Sequence, residues 1–294
     1  MAVLAIALAA GHLAQTLAAR KATPMAAAVS LPTKIVVLSA SPDDPGVKAT
    51  TNVPVKPLPE QHIFLTPPVA PATDSALARD CTPVLTASTE PGATVALTLR
   101  APCDSGARVV LAHGGLTITQ RVGANGRLTL AIPALDQAGQ FEIRFADGRS
   151  VSAVHPVPDL STVRRFAVQW LGLDGFVLHG FENGADFGQP GDVSAAQPGP
   201  TATGSSLVAL GEMSVDSPLM AQIYTFPAEG LAEVVVEAPV TAANCAQEML
   251  GQTISSMEGS ATVVDLTLAM PDCSAVGDFL VLKNLAPDMK LATK

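Results

Sequence analysis

Four cysteines carry the clearest chemistry in the chain: Cys81, Cys103, Cys245 and Cys273. The count is even, and an exported chain with that pattern uses its cysteines as staples. Each pair lies within one β-rich stretch, which predicts local bridges Cys81–Cys103 and Cys245–Cys273. The other residues with chemical capacity are scattered. Glu182, Asp186 and Asp192 sit in the Gly/Pro-rich stretch from Phe181 to Pro200. Three carboxylates on such a loop resemble a calcium donor set, but their spacing fits no calcium loop, so no metal is expected. With Phe181 and Phe187 they read as a partner-binding patch, in which the rings supply apolar contact and the carboxylates steer a basic surface. His113-Gly114-Gly115 has the look of an oxyanion loop. No Gly-x-Ser-x-Gly elbow accompanies it, so a hairpin turn is expected there. His155 and His179 stand alone and read as surface or core residues. No catalytic residue and no cofactor are expected.

These residues need a frame, and the frame reads as all-β. Val95, Leu97 and Leu99 alternate with Ala96, Thr98 and Arg100. Leu128, Leu130 and Ile132 alternate with Arg127, Thr129 and Ala131, and Phe141, Ile143 and Phe145 with Glu142 and Arg144. Pro91-Gly92, Asp104-Ser105-Gly106, Gly114-Gly115, Asn125-Gly126 and Asp147-Gly148 fall between the runs as turns, with Asn-Gly and Asp-Gly as hairpin signals. About seven short strands fit an immunoglobulin-like β-sandwich over 80–158. A second β-sandwich is expected over 159–294. There Phe166, Val168 and Trp170 form one apolar face, with Trp170 in the core, and Val264, Leu266, Leu268 and Met270 form another. Val234 to Val236 and Phe279 to Leu282 are apolar runs of strand length. Asn244 to Met257 reads as one helical turn followed by a strand.

The 294-residue chain is 48% hydrophobic and 15% charged, with only 4% aromatic residues. Net charge is −9: +2 over 1–79, zero over 80–158 and −11 over 159–294. An acidic C-terminal half repels phosphate backbones, which argues against nucleic acid as a partner. Residues 1–20 begin with an uncharged apolar run, Met1 to Ala19, read as a membrane helix or signal peptide. Residues 21–79 hold 10 of the 24 prolines and read as an extended tether. Two strand-like runs interrupt it, at Lys34 to Leu38 and His62 to Leu65. Arg20 and Lys21 follow the apolar run and favour the opposite orientation under the positive-inside rule. The paired cysteines outweigh them and place the folded part outside the cytoplasm.

Several strings together resemble a family of membrane-anchored proteobacterial proteins, some of them labelled "translocase". They are Gly11 to Gln15, Cys81 to Leu85, Gln169-Trp170, Gly184 to Gly188, Thr241 to Cys245 and the tail from Gly277 to Leu285. The resemblance implies anchor, tether and two disulfide domains, and it supplies no catalytic residue. The expected protein is therefore a single-pass inner-membrane protein with periplasmic β-domains. It would serve as a non-enzymatic binding or assembly adaptor for a cell-envelope protein. The competing expectation is an envelope enzyme acting on carbohydrate or peptidoglycan through carboxylates of the second domain.

Overall fold

The structure is a computed structural model that describes residues 80–199 and 204–286. The apolar start, the tether with its two strand-like runs, Pro200 and the tail from 287 lie outside the described residues. Among the described residues, no helix is long and apolar enough to cross a membrane.

The described residues are almost entirely antiparallel β-structure, closed by two disulfides. Seven strands come first: β1 (Val84–Glu90), β2 (Thr94–Arg100), β3 (Arg108–His113), β4 (Leu116–Arg121), β5 (Arg127–Pro133), β6 (Gln140–Phe145) and β7 (Ser150–Val154). They form a sheet of order β1-β2-β5 facing one of order β4-β3-β6-β7. Alternation determines which side chains fill the space between: Val95, Leu97 and Leu99 on β2 meet Val109, Leu111, Phe141 and Ile143 from the facing sheet. Gly114 and Gly115, both at positive φ, make the two-residue turn between β3 and β4. Asp147-Gly148 turns β6 into β7. Asn125-Gly126 does not close a hairpin. It carries the chain from β4 in one sheet to β5 in the other, and Ala101 N–H donates to Gly126 O at 2.8 Å.

A 3-10 turn, Pro158–Thr162, leads to the remaining strands. These are β8 (Arg165–Leu171), β9 (Val177–Glu182), β10 (Asp192–Ser194), β11 (Ser206–Leu210), β12 (Leu219–Thr225), β13 (Ala232–Pro239), β14 (Glu248–Met257), β15 (Ser260–Ala269) and β16 (Phe279–Leu282). Sheet order is β11-β12-β8-β14-β15 against β10-β9-β13-β16. Their shared core holds Phe166, Val168, Phe176, Leu178, Tyr224, Val234 and Val236. The stretch before β14 is a turn in which Cys245 N–H donates to Thr241 O at 3.0 Å and Thr241 Oγ1 accepts from Asn244 N–H at 3.2 Å. Cys81–Cys103 and Cys245–Cys273 are bridged, with Cα–Cα distances of 5.3 and 4.9 Å.

The alternation expected on β8 is not a core face opposite a solvent face. Phe166 and Val168 enter the second core, while Ala167 on the other side joins the first, with Leu210, Ala221, Ile223 and Ile254. Sheet β11-β12-β8-β14-β15 therefore has a core against each face. Arg165 lies in this seam, 1% exposed. Its guanidinium donates to Ala93 O (3.0 Å), Ala134 O (2.5 Å), Gly92 O and Thr225 Oγ1 (3.1 Å). Burial lowers its pKa to about 10, so it stays charged at neutral pH. Other bonds cross the same seam: Ser256 Oγ to Leu135 O (2.7 Å), Glu212 N–H to Thr119 O (2.9 Å) and Arg121 Nη2 to Ser214 O (2.6 Å).

Two apolar expectations are modified by position. Val264 is more than half exposed, because the second core ends at Leu266 and the tip of the β14–β15 hairpin runs past it. Phe279 and Val281 are exposed because they lie on the outer face of the edge strand β16, while Leu280 and Leu282 turn to the core.

Candidate functional site

Two surfaces carry the residues that could act. The first is the outer face of sheet β10-β9-β13-β16, which contains the stretch from Phe181 onward. Much of that stretch is a hairpin rather than an open loop, because Asp192, Val193 and Ser194 pair with Phe181, Gly180 and His179. Pairing fixes where the side chains go. Glu182 lies on the same strand face as Leu178, pointing into the core. Its carboxylate accepts from Ser205 Oγ and from Tyr224 Oη at 3.4 Å. Burial raises the Tyr224 pKa far above its usual value. Asp192 is also buried; Oδ1 binds His179 Nδ1 at 2.7 Å and Oδ2 accepts from Gly188 N–H at 2.8 Å.

Of the five residues expected to face a partner, Phe181, Glu182 and Asp192 are thus buried: Glu182 points into the core, while Phe181 and Asp192 lie on the outer face packed against His179. Glu182 and Asp192 cannot steer a basic surface, because strand pairing, of β9 with β13 and of β10 with β9, sends each carboxylate to a buried hydrogen-bond partner. Asp186 remains exposed, accepting from Phe187 N–H at 2.9 Å. Phe187 is half-buried and plugs the face, with ring centroids 4.9 Å from both Phe181 and His179 and 6.1 Å from Phe279. His179 is therefore the hub of this cluster. Its Nε2 is buried without a hydrogen-bond partner, and Glu237 Oε2 lies 3.8 Å away. Among the described residues, no group of three or more His, Cys, Asp or Glu side chains could hold a metal.

The second surface is a groove of about 450 Å³ beside β4, on the face of sheet β11-β12-β8-β14-β15 that meets the first core. Its position follows from strand register. Ala221, Gln169, Gln252 and Asp265 form one row across β12, β8, β14 and β15. In the next row Leu219 pairs with Leu171 and Leu250 pairs with Thr267. The polar row is internally satisfied. Thr117 N–H donates to Gln169 Oε1 (2.8 Å), and Gln169 Nε2 donates to Gly115 O (2.9 Å) and Gln252 Oε1 (2.8 Å). Gln252 Nε2 then donates to Asp265 Oδ1 at 2.8 Å. A side-chain amide with its partners fixed does not reorient, so the groove has a rigid polar floor.

The leucine row is the opposite case. Leu171 and Leu250 are 61% and 65% exposed, well above what a strand side chain beside a core should show. Together they give an apolar wall beside a row of amides and a carboxylate, which suits an amphipathic ligand held by contact and by a few hydrogen bonds. Sequence reasoning missed this groove. Gln169 read as the solvent side of a strand, and no local pattern reveals that Gly115 from a distant hairpin caps it. The one usable signal was Ala167 between Arg165 and Gln169, a small residue where a second element comes close. Compared with known proteins, the chain matches no protein-family model and no curated protein.

Proposed function

We propose that this is a membrane-tethered binding or assembly protein of the cell envelope, without catalytic activity, that holds an extended segment of an envelope protein in the Leu171–Leu250 groove. The observation that carries the reading is the exposed leucine row on a rigid, internally hydrogen-bonded floor. An extended segment is favoured because the groove is open and shallow, shaped by strands running side by side. The Asp186–Phe187–Phe279 surface is the second contact the partner meets. The strand order β1-β2-β5 over β4-β3-β6-β7 supports an immunoglobulin-like first sandwich in an arrangement of two sandwiches, over 80–158 and 159–294. The two disulfides support an oxidising compartment, in keeping with inner-membrane anchoring, a proline-rich tether and periplasmic domains. The resemblance to membrane-anchored proteobacterial proteins points the same way.

Two experiments test this. Alkaline phosphatase fused after Arg79 should be active, since it needs oxidised cysteines; an inactive fusion would put the folded part in the cytoplasm. A photo-crosslinking amino acid at position 250 should give one discrete adduct in intact cells, lost in Leu171→Asp. The same group at position 86, exposed on β1 in the opposite sheet of the first sandwich, should give none. Equal labelling at both positions would sink the groove assignment.

A further inference from the structure

The longest exposed edge among the described residues has no explanation in the binding role just described. β15 closes one side of its sheet, and its ten residues pair with β14 without interruption, from Glu248↔Ala269 to Met257↔Ser260. Among the described residues nothing pairs with its other side. Each antiparallel strand alternates the direction of its peptide groups, so such an edge presents a row of N–H and C=O groups to solvent. Proteins commonly protect such an edge with a bulge, a proline, or lysines along the strand. β15 has none of these. Its sequence, Ser-Ala-Thr-Val-Val-Asp-Leu-Thr-Leu-Ala, is built of strand-forming residues and contains a single charge, Asp265.

We propose that β15 pairs antiparallel with β15 of a second copy about a two-fold axis at Leu266, joining the two five-stranded sheets into one. The strand is self-complementary in that register. Two-fold pairing matches residues of the same parity, so each meets a partner on its own face. On the inner face Leu266 meets its equivalent and Val264 meets Leu268, all apolar. On the groove face Val263 meets Ala269, and Asp265 meets Thr267, a carboxylate opposite a hydroxyl donor. Asp265 Oδ1 already accepts from Gln252, and a carboxylate has capacity for the hydroxyl as well. No carboxylate faces another.

Self-complementarity selects a second copy as the occupant, and charge selects the place. Residues 159–294 carry −11, so self-contact over most of this half opposes like charges. β15 is a ten-residue stretch where that repulsion is nearly absent. Asp265 also breaks the apolar run, so pairing is held to one register instead of propagating. The pairing has a consequence for the groove, whose rim includes Asp265 and Thr267. The axis is perpendicular to the sheet and preserves its faces, so each partner strand continues the groove floor beyond its own edge. The dimer stands independently of what the groove binds.

Sedimentation velocity of the full chain in detergent tests the idea, with charge at position 267 as the variable. The unsubstituted chain should dimerise. Thr267→Asp sets two pairs of carboxylates opposite each other and should weaken the dimer about tenfold. Thr267→Lys sets a lysine opposite each Asp265 and should keep or tighten it. Position 267 is exposed, and thermal unfolding by circular dichroism checks that both variants fold. An Asp265→Cys/Thr267→Cys double variant should form interchain disulfides under mild oxidation, because the native cysteines are already bridged. A monomeric unsubstituted chain overturns the proposal, and so does a dimer indifferent to Thr267→Asp. Equal loss with Thr267→Lys, or no interchain disulfide in the double variant, overturns the Leu266 register.

Discussion

Two buried polar residues tie distant strands together by opposite electrical means. Arg165 is a buried charge whose donors are taken up by three backbone carbonyls and one hydroxyl. Removing it leaves carbonyls facing an apolar side chain in the seam. Arg165→Met should cost roughly 3 kcal/mol or more, and Arg165→Lys should recover only part of this, because an ammonium cannot match the planar fork. Urea unfolding of the two variants measures both, and equal stability with the wild type would show the seam is held by packing alone. His113 works in the neutral form. It is 2% exposed and stacked on Phe141, its Nε2 accepts from Leu135 N–H at 2.9 Å, and its Nδ1–H donates to Gln140 O at 2.9 Å. Burial lowers its pKa below 6.5. The unfolded chain therefore takes up the proton first, so this contribution is complete above about pH 6.5 and is lost as pH falls through the folded-state value. The urea midpoint should drop between pH 7 and pH 5.5. His113→Gln should be less stable throughout but flatter across that window; a slope unchanged by the substitution would assign the pH dependence to other groups.

At the scale of elements, the two disulfides close short loops around particular strands. Cys245–Cys273 ties the turn before β14 to the 3-10 turn after β15, 28 residues apart. Cys245→Ser/Cys273→Ser should lose roughly 3 kcal/mol on chain-entropy grounds, and hydrogen exchange should rise first in β14 and β15. A uniform rise across all strands would mean the bridge stabilises only the whole. Much of this level was legible in the sequence. The cysteine pairing, the faces of β2, β5 and β6 and the turn before β14 follow from local rules, since alternation and turn chemistry are decided within a few residues. What was illegible depends on contacts between distant segments. Arg165 and Gln169 have the sequence appearance of a solvent face, and only the seam buries them. Glu182 and Asp192 look like loop carboxylates until β10 is paired with β9, a match of three residues that leaves almost no pattern in sequence. The groove needs Gly115 and Thr117 brought to Gln169, some fifty residues away, and no periodicity encodes that.

Across the whole molecule, the seam decides whether the two halves behave as separate bodies. A linker-joined pair of domains has a modest polar interface and unfolds in two steps. Here the first core takes in Ala167, Leu210, Ala221, Ile223 and Ile254 from the second half, so the cores are joined through one shared sheet. Unfolding the first half would expose that apolar face and strand Arg165 without its carbonyls. The two halves should therefore open together. Trp170 fluorescence reports the second half, and hydrogen exchange in peptides covering β2 and β6 reports the first. Their urea midpoints should coincide in the wild type and separate in Arg165→Met/Ile223→Ala, which removes both the ionic and the apolar part of the seam. An early transition in the first half of the unsubstituted protein would mean that the seam is a docking contact and that the groove beside it can open. Coincident transitions would make the groove a fixed feature of one rigid body. That rigidity matters for binding, because a preformed groove loses less conformational entropy when an extended segment is laid into it.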